Sequence, residues 1–187
     1  MLHLNNSTIA KLLRLFAILA ITMLLACWIA YLLGARINRT HSLPKGLYWV
    51  LNRPPQRGDL VAFWPADTPE LREARRRGYI IPGVYNIGPD GEGYGLLLKK
   101  LAAVPGDVVS ITNFGVRVNG SLMRNTVPLP CDNIGDPLPV LRFDNRRLAE
   151  GEALFISDHL PRSFDARYFG IQEMRQIVEV VTPVWTW

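Results

Sequence analysis

The sequence predicts a mainly β protein, with one N-terminal transmembrane helix followed by an antiparallel β domain that carries one short helix. Three observations predict this. Residues 15–34 form an uncharged apolar run of roughly the 20 residues that a bilayer core requires. Downstream, short stretches rich in β-branched and aromatic residues alternate with Pro- and Gly-rich turns, the pattern of strands joined by tight connections. Among them, Asn119-Gly120 separates two extended segments, the strongest short hairpin signal. With 187 residues and 49% apolar content, the chain has room for one ordinary domain and an anchor, which excludes a large multidomain enzyme. Residues 1–36 are therefore read as a short stub plus a transmembrane signal-anchor, and residues 37–187 as one β-rich domain.

The anchor reading rests on length. A secretory signal has an apolar region of about 7 to 15 residues and a small-x-small cleavage site, whereas this run is longer and the ARINRTHS that follows offers no clean site. Lys11 and Arg14 precede the run and Arg36 and Arg39 follow it, so loop charge does not fix the orientation. Cys27 falls inside the run and Cys131 in a loop-like stretch; two such cysteines give no disulfide framework and no metal site.

Residues 47–52 (LYWVLN) and 59–64 (DLVAFW), separated by RPPQRG, read as strand, turn, strand. Residues 67–77 read as the short helix. Thr68 is the N-cap, Pro69 the first helical position, Glu70 lies in the first turn, Arg75, Arg76 and Arg77 lie in the last, and Gly78 follows. The arginine run suits the helix dipole or a lipid headgroup region, and with no interleaved aromatics it does not indicate nucleic-acid binding despite the formal charge of +5. Residues 81–95 (IPGVYNIGPDGEGYG) read as an irregular surface loop. Residues 96–104 (LLLKKLAAV) read as a strand, followed by a Pro105-Gly106-Asp107 turn and the alternating VVSIT. Residues 116–123 hold the hairpin, 126–140 a proline-rich connection, 153–157 a strand, and 176–185 a last strand interrupted by Pro183.

Three segments could carry chemistry. Ser42, in SLPKG, is an ordinary turn serine in isolation, but it sits a few residues beyond the apolar run, where a nucleophile would face a bilayer surface. Lys99 and Lys100 sit in an apolar strand, where alternation sends one lysine to each face. A desolvated lysine can lose its proton near neutrality and activate a serine without any histidine; two solvated edge-strand lysines are the plain alternative. Residues 157–170 (SDHLPRSFDARYFG) contain acids, arginines, a serine and His159. A Ser-His-Asp triad through His159 is conceivable, but an exposed loop histidine is commoner than a base, and Asp165 with Arg167 reads as a structural ion pair.

In this order the segments resemble the boxes of the signal peptidase I family. SLPKG is similar to the nucleophile box, RGDLVAFWP to the GDxVxF strand, KKLAAVPGDVV to the K-[KR]-x3-PGD lysine box, and SDHLPRSFDARYFG to the GDNxxxSxDSRxxG box. The resemblance spans about residues 40–170. It implies Ser42 as nucleophile and Lys99 as general base, with Lys100 the runner-up. It also implies an oxyanion hole from the Ser42 N–H and the Thr40 hydroxyl, Ser163 orienting the lysine, and Asp165 and Arg167 supporting the site. Ser157 and His159 stand where the family has glycine and asparagine, and Ala166 replaces a small serine.

Within the family, the short chain, the single anchor, LPRSFDARYFG and RRRGYIIPG are most similar to the TraF-like conjugative-transfer branch. That resemblance implies a membrane-bound serine endopeptidase without cofactor or metal. It would mature a pilin precursor by hydrolysis or cyclisation, with its catalytic domain on the outer, periplasmic face of the bacterial inner membrane and its stub in the cytoplasm. A housekeeping signal peptidase and a non-catalytic membrane-anchored binding domain are the alternatives. A self-cleaving repressor would need a DNA-binding module where this chain has an apolar helix.

Overall fold

The computed structural model describes residues 5–80, 82–87 and 93–187. The chain divides into two compact units, Met1–Arg36 and Ile37–Trp187. The first is dominated by α1 (Asn6–Leu32), whose N-cap Asn5 accepts from Thr8 N–H at 2.8 Å. The helix begins nine residues before the uncharged run, so Lys11 and Arg14 belong to its first turns. None of its most apolar window is buried inside the protein. An exposed helix of this length with so long an apolar stretch suits a membrane anchor or signal sequence.

Among the described residues, the second unit is built on three sheets. In chain order its elements are β1 (Ala35–Asn38, which begins in the first unit), β2 (Gly46–Leu51), β3 (Leu60–Phe63), α2 (Pro69–Arg76), β4 (Pro82–Ile87), β5 (Gly93–Tyr94), β6 (Leu97–Ala103), β7 (Val108–Thr112), β8 (Gly115–Val118), β9 (Ser121–Leu122), β10 (Phe143–Arg147), β11 (Glu152–Ile156), α3 (Ala166–Phe169), β12 (Gln172–Glu173) and β13 (Ile177–Thr186). The main sheet has the order β1-β2-β13-β3-β6-β11-β12. A second sheet runs β10-β7-β8-β9, and β4 pairs with β5 alone. The pairings from β2 through β12 are antiparallel. The core lies over the main sheet, where Val61, Phe63, Leu101, Leu154 and Phe155 are wholly buried and the Phe63 and Phe155 rings stack with centroids 4.0 Å apart.

Local chemistry explains most elements. Thr68 caps α2 through its side chain, and Gly78 takes φ +75 just beyond the helix end. Asn119 (φ 48) and Gly120 (φ 80) turn β8 into β9, as the hairpin signal requires. Gly46 is demanded by close approach, because a Cβ there would lie 2.1 Å from the Trp185 carbonyl oxygen. Pro183 is tolerated inside β13 because the β3 pairing has ended at Val181; beyond it only β2 lies alongside, and the register shifts there.

Three expectations are corrected. The stretch read as an irregular loop over 81–95 contains the paired β4 and β5, although residues 81 and 88–92 lie outside the described residues. The connection after the proline-rich segment includes β10, whose FDNRR has no apolar alternation to betray it because four of its five residues are exposed. The β domain holds a second short helix, α3, formed because Asp165 caps it through Arg167 N–H and all four of its residues are buried.

Candidate active site

The central strand β6 sets the site. Val61 pairs with Lys99 and Leu60 with Lys100, and strand alternation sends the two lysines to opposite faces. Lys100 Nζ reaches Asp158 at 2.7 Å in a partly exposed ion pair. Lys99 points inward and is 3% exposed. Its Nζ lies 2.5 Å from Ser42 Oγ and 3.0 Å from Ser163 Oγ, and the two hydroxyl oxygens are 3.3 Å apart. Burial pushes the Lys99 ammonium down to about 8 from 10.5, opposed by the charge of Asp165 and aided by that of Arg167. Its two closest partners are neutral hydroxyls, which hydrogen-bond an amine without stabilising an ammonium as a carboxylate would.

Ser42 sits in the loop between β1 and β2, half-buried. A loop without a ladder of its own needs other partners for its carbonyls, and buried Asn38 supplies them. Its Nδ2 donates to Pro44 O (2.9 Å) and Leu43 O (3.1 Å), with Thr40 O at 3.3 Å. Its Oδ1 accepts from Thr40 N–H (3.0 Å) and the Thr40 hydroxyl (2.8 Å). The Tyr48 hydroxyl adds a bond to Pro44 O at 2.7 Å. The Ser42 N–H donates to no group among the described residues. The Thr40 hydroxyl is therefore engaged with Asn38, while the other expected oxyanion donor is open.

The far wall comes from the connection between β11 and α3. Arg167 and Asp165 are both wholly buried and form a bidentate pair, Nε to Oδ1 at 2.8 Å and Nη2 to Oδ2 at 2.9 Å. The remaining guanidinium hydrogens go to the carbonyls of Ser163 (2.9 Å), Pro161 (2.8 Å) and Val127 (3.1 Å), so every donor of the fork is used. This pair fixes the backbone that presents Ser163 to Lys99. His159, in contrast, is exposed and makes no hydrogen bond among the described residues, so the geometry assembles no triad around it. Among the described residues no cluster of three or more His, Cys, Asp or Glu side chains comes together.

Two residues at this site carried no functional signal in the sequence. Asn38 is one. The other is Ser157, wholly buried, whose hydroxyl donates to the Ser42 carbonyl oxygen at 2.5 Å and accepts from Leu160 N–H at 3.2 Å. Its own N–H donates to Asp165 Oδ2 at 3.0 Å. Ser157 thus couples the Ser42 loop to the Asp165–Arg167 frame. The available clue was its departure from the family's glycine, since a hydroxyl added at a buried position must find a partner.

Lys99 is buried against the Ser42 hydroxyl on an antiparallel β scaffold, and comparison with known sequences gives the chain a family. Residues 8–187 match the signal peptidase family, peptidase S26, and the chain belongs to that family. It is similar to two plasmid transfer proteins TraF from Escherichia coli. One is 42% identical over 164 residues, covering 88% of this chain and 90% of that protein, and the other is 40% identical, covering 84% and 85%. The conjugal transfer protein TraF of Agrobacterium tumefaciens (strain 15955) is 34% identical, covering 82% and 83%. A signal peptidase I structure from Enterococcus faecalis V583 aligns with a TM-score of 0.38 at 20% identity over 70% of this chain and 98% of that one, too low to add to the argument.

Proposed function

We propose that this chain is a membrane-anchored serine endopeptidase that matures an exported precursor in conjugative transfer, the pilin subunit being the expected substrate. The observation that carries the reading is the buried Lys99 amine in contact with Ser42 Oγ and Ser163 Oγ. Its lowered pKa leaves a usable fraction of free amine near neutrality.

In the reaction, an extended precursor segment lies along the strands beside Ser42. The Ser42 hydroxyl passes its proton to Lys99 Nζ as Oγ bonds to the scissile carbonyl carbon. The developing oxyanion takes the Ser42 N–H and, once its hydroxyl turns from Asn38, Thr40. Ser163 accepts a hydrogen bond from the lysine and donates its own hydroxyl hydrogen to Ser42 Oγ, which leaves the Ser42 proton free to pass to Lys99. The Lys99 ammonium then protonates the departing amine, leaving an acyl-enzyme on Ser42. A water or an amine, deprotonated by the same lysine, releases the acyl group. The Asp165–Arg167 pair and Ser157 position these groups without touching the reacting atoms. The catalytic unit is assigned to the outer face of the inner membrane, on the side where exported precursors emerge.

The test is processing of a co-expressed pilin precursor by wild type, Ser42→Ala, Lys99→Ala and Lys100→Ala, read by mass spectrometry. Loss of processing in the first two variants with retention in Lys100→Ala is expected. A mass lower by one water than the hydrolysed product would identify cyclisation. Normal processing by Ser42→Ala would refute the peptidase reading and favour a binding domain.

A further inference from the structure

A cavity of about 490 Å³ opens beside the nucleophile, with Arg39, Ser42, Arg77, Tyr79, Asp132 and Arg162 in its walls. It is far larger than a pocket for one small side chain and lies in the size range of sites that hold whole ligands. Its charges divide into two sets. Asp132 is spent internally, accepting from the Tyr79 hydroxyl and from the N–H groups of Ile134 and Asp136, both at 2.9 Å. Arg77 is also held, by Glu73 at 2.5 Å and the Pro137 carbonyl at 3.1 Å. Arg39 and Arg162, by contrast, are exposed and make no hydrogen bond or ion pair among the described residues. They come from the two segments that carry Ser42 and Ser163, so two uncommitted guanidinium groups line the same cavity as Ser42.

We infer that this cavity is a subsite for a carboxylate side chain of the precursor close to the scissile bond, with Arg39 and Arg162 as the specificity-determining residues. The inference rests on the peptidase reading above. A guanidinium offers a planar fork that matches a carboxylate, and two of them in one concave wall make a positive potential that no neutral or basic side chain satisfies. The cavity thus adds charge selection to the site.

The test uses the full chain in detergent micelles and a panel of internally quenched peptides spanning the cleavage sequence. Glu, Gln or Lys is placed at each of three positions on either side of the scissile bond. At one position kcat/KM is expected to favour Glu over Gln by about tenfold or more, the scale of a charge-assisted hydrogen bond. In the Arg39→Gln, Arg162→Gln double variant the Glu-to-Gln ratio is expected to fall to near one, with thermal unfolding as in wild type. Arg162→Glu is expected to favour the Lys peptide. Equal, Ser42-dependent cleavage of all three peptides by wild type would overturn the subsite and leave the peptidase reading standing, as would a Glu preference that survives the double variant. Cleavage of every peptide by Ser42→Ala would instead overturn the peptidase reading itself.

Discussion

Burying an ammonium is expensive, and Lys99 sits at 3% exposure with hydroxyls as its nearest partners and Asp165 already paired to Arg167. The lysine therefore titrates near 8, and kcat/KM is expected to rise by a factor of ten per pH unit below that value and to level off above it. The same shift acts on stability. The folded pKa lies below the unfolded one, so the unfolded chain binds more protons; the penalty is fully present below about 8 and vanishes as pH rises from there towards 10.5. At ~1.4 kcal/mol per unit, the fall from 10.5 to about 8 corresponds to about 3 kcal/mol. Lys99→Met, a substitution of similar reach without the charge, is expected to be inactive yet more stable than wild type at pH 7 by up to that amount. Urea unfolding across pH 7 to 11 checks this; a gap that does not narrow with pH would mean that Lys99 is not the group carrying the shift.

At the scale of elements, the Ser42 loop between β1 and β2 is held by Asn38, Tyr48 and Ser157 rather than by a ladder, so its geometry depends on a few side-chain bonds. Asn38→Ala removes a buried donor from the Leu43 and Pro44 carbonyls. It is expected to lower unfolding stability by about 1 to 3 kcal/mol and kcat by about tenfold or more, with KM changed far less, because the loop misplaces Ser42 rather than the substrate. Steady-state kinetics with chemical denaturation separate these effects; an unchanged kcat in a destabilised variant would make Asn38 structural only. Why the sequence revealed Lys99 but not Asn38 is a matter of range. Strand alternation, the Thr68 cap and the Asn119-Gly120 turn are local signals, and they placed β2, β3, β6, α2 and the β8–β9 hairpin. That Lys99 and Lys100 face opposite sides followed from the same period; that Lys99 is the inward one was implied by the family resemblance. Ser157 has its decisive partner 115 residues away, α3 is held by burial, and β10 has an exposed charged sequence, so none of them is written in a local period.

For the whole molecule, the chain divides into an apolar helical unit and a β unit with its own core, and the proposed function gives them separate tasks, holding the enzyme at a surface and performing the chemistry. At ~1.5 Å per residue, the 27 residues of α1 extend about 40 Å, longer than a bilayer's ~30 Å hydrocarbon core. Residues Ser7–Leu32 carry the apolar span, and β1 follows within three residues of its end. Under the proposed function, confining enzyme and membrane-held precursor to one bilayer would raise their effective concentration without changing any contact at Ser42. A chain lacking residues 1–32, which keeps β1 and the whole β unit, is therefore expected to cleave a soluble peptide with kcat/KM within about threefold of the full chain. Its processing of a precursor embedded in vesicles should fall by about a hundredfold or more. Running both substrates side by side isolates the anchor's contribution. Equal loss on both would mean that the helix supports the fold of the catalytic unit, and equal retention would mean that encounter in the membrane plane does not limit processing.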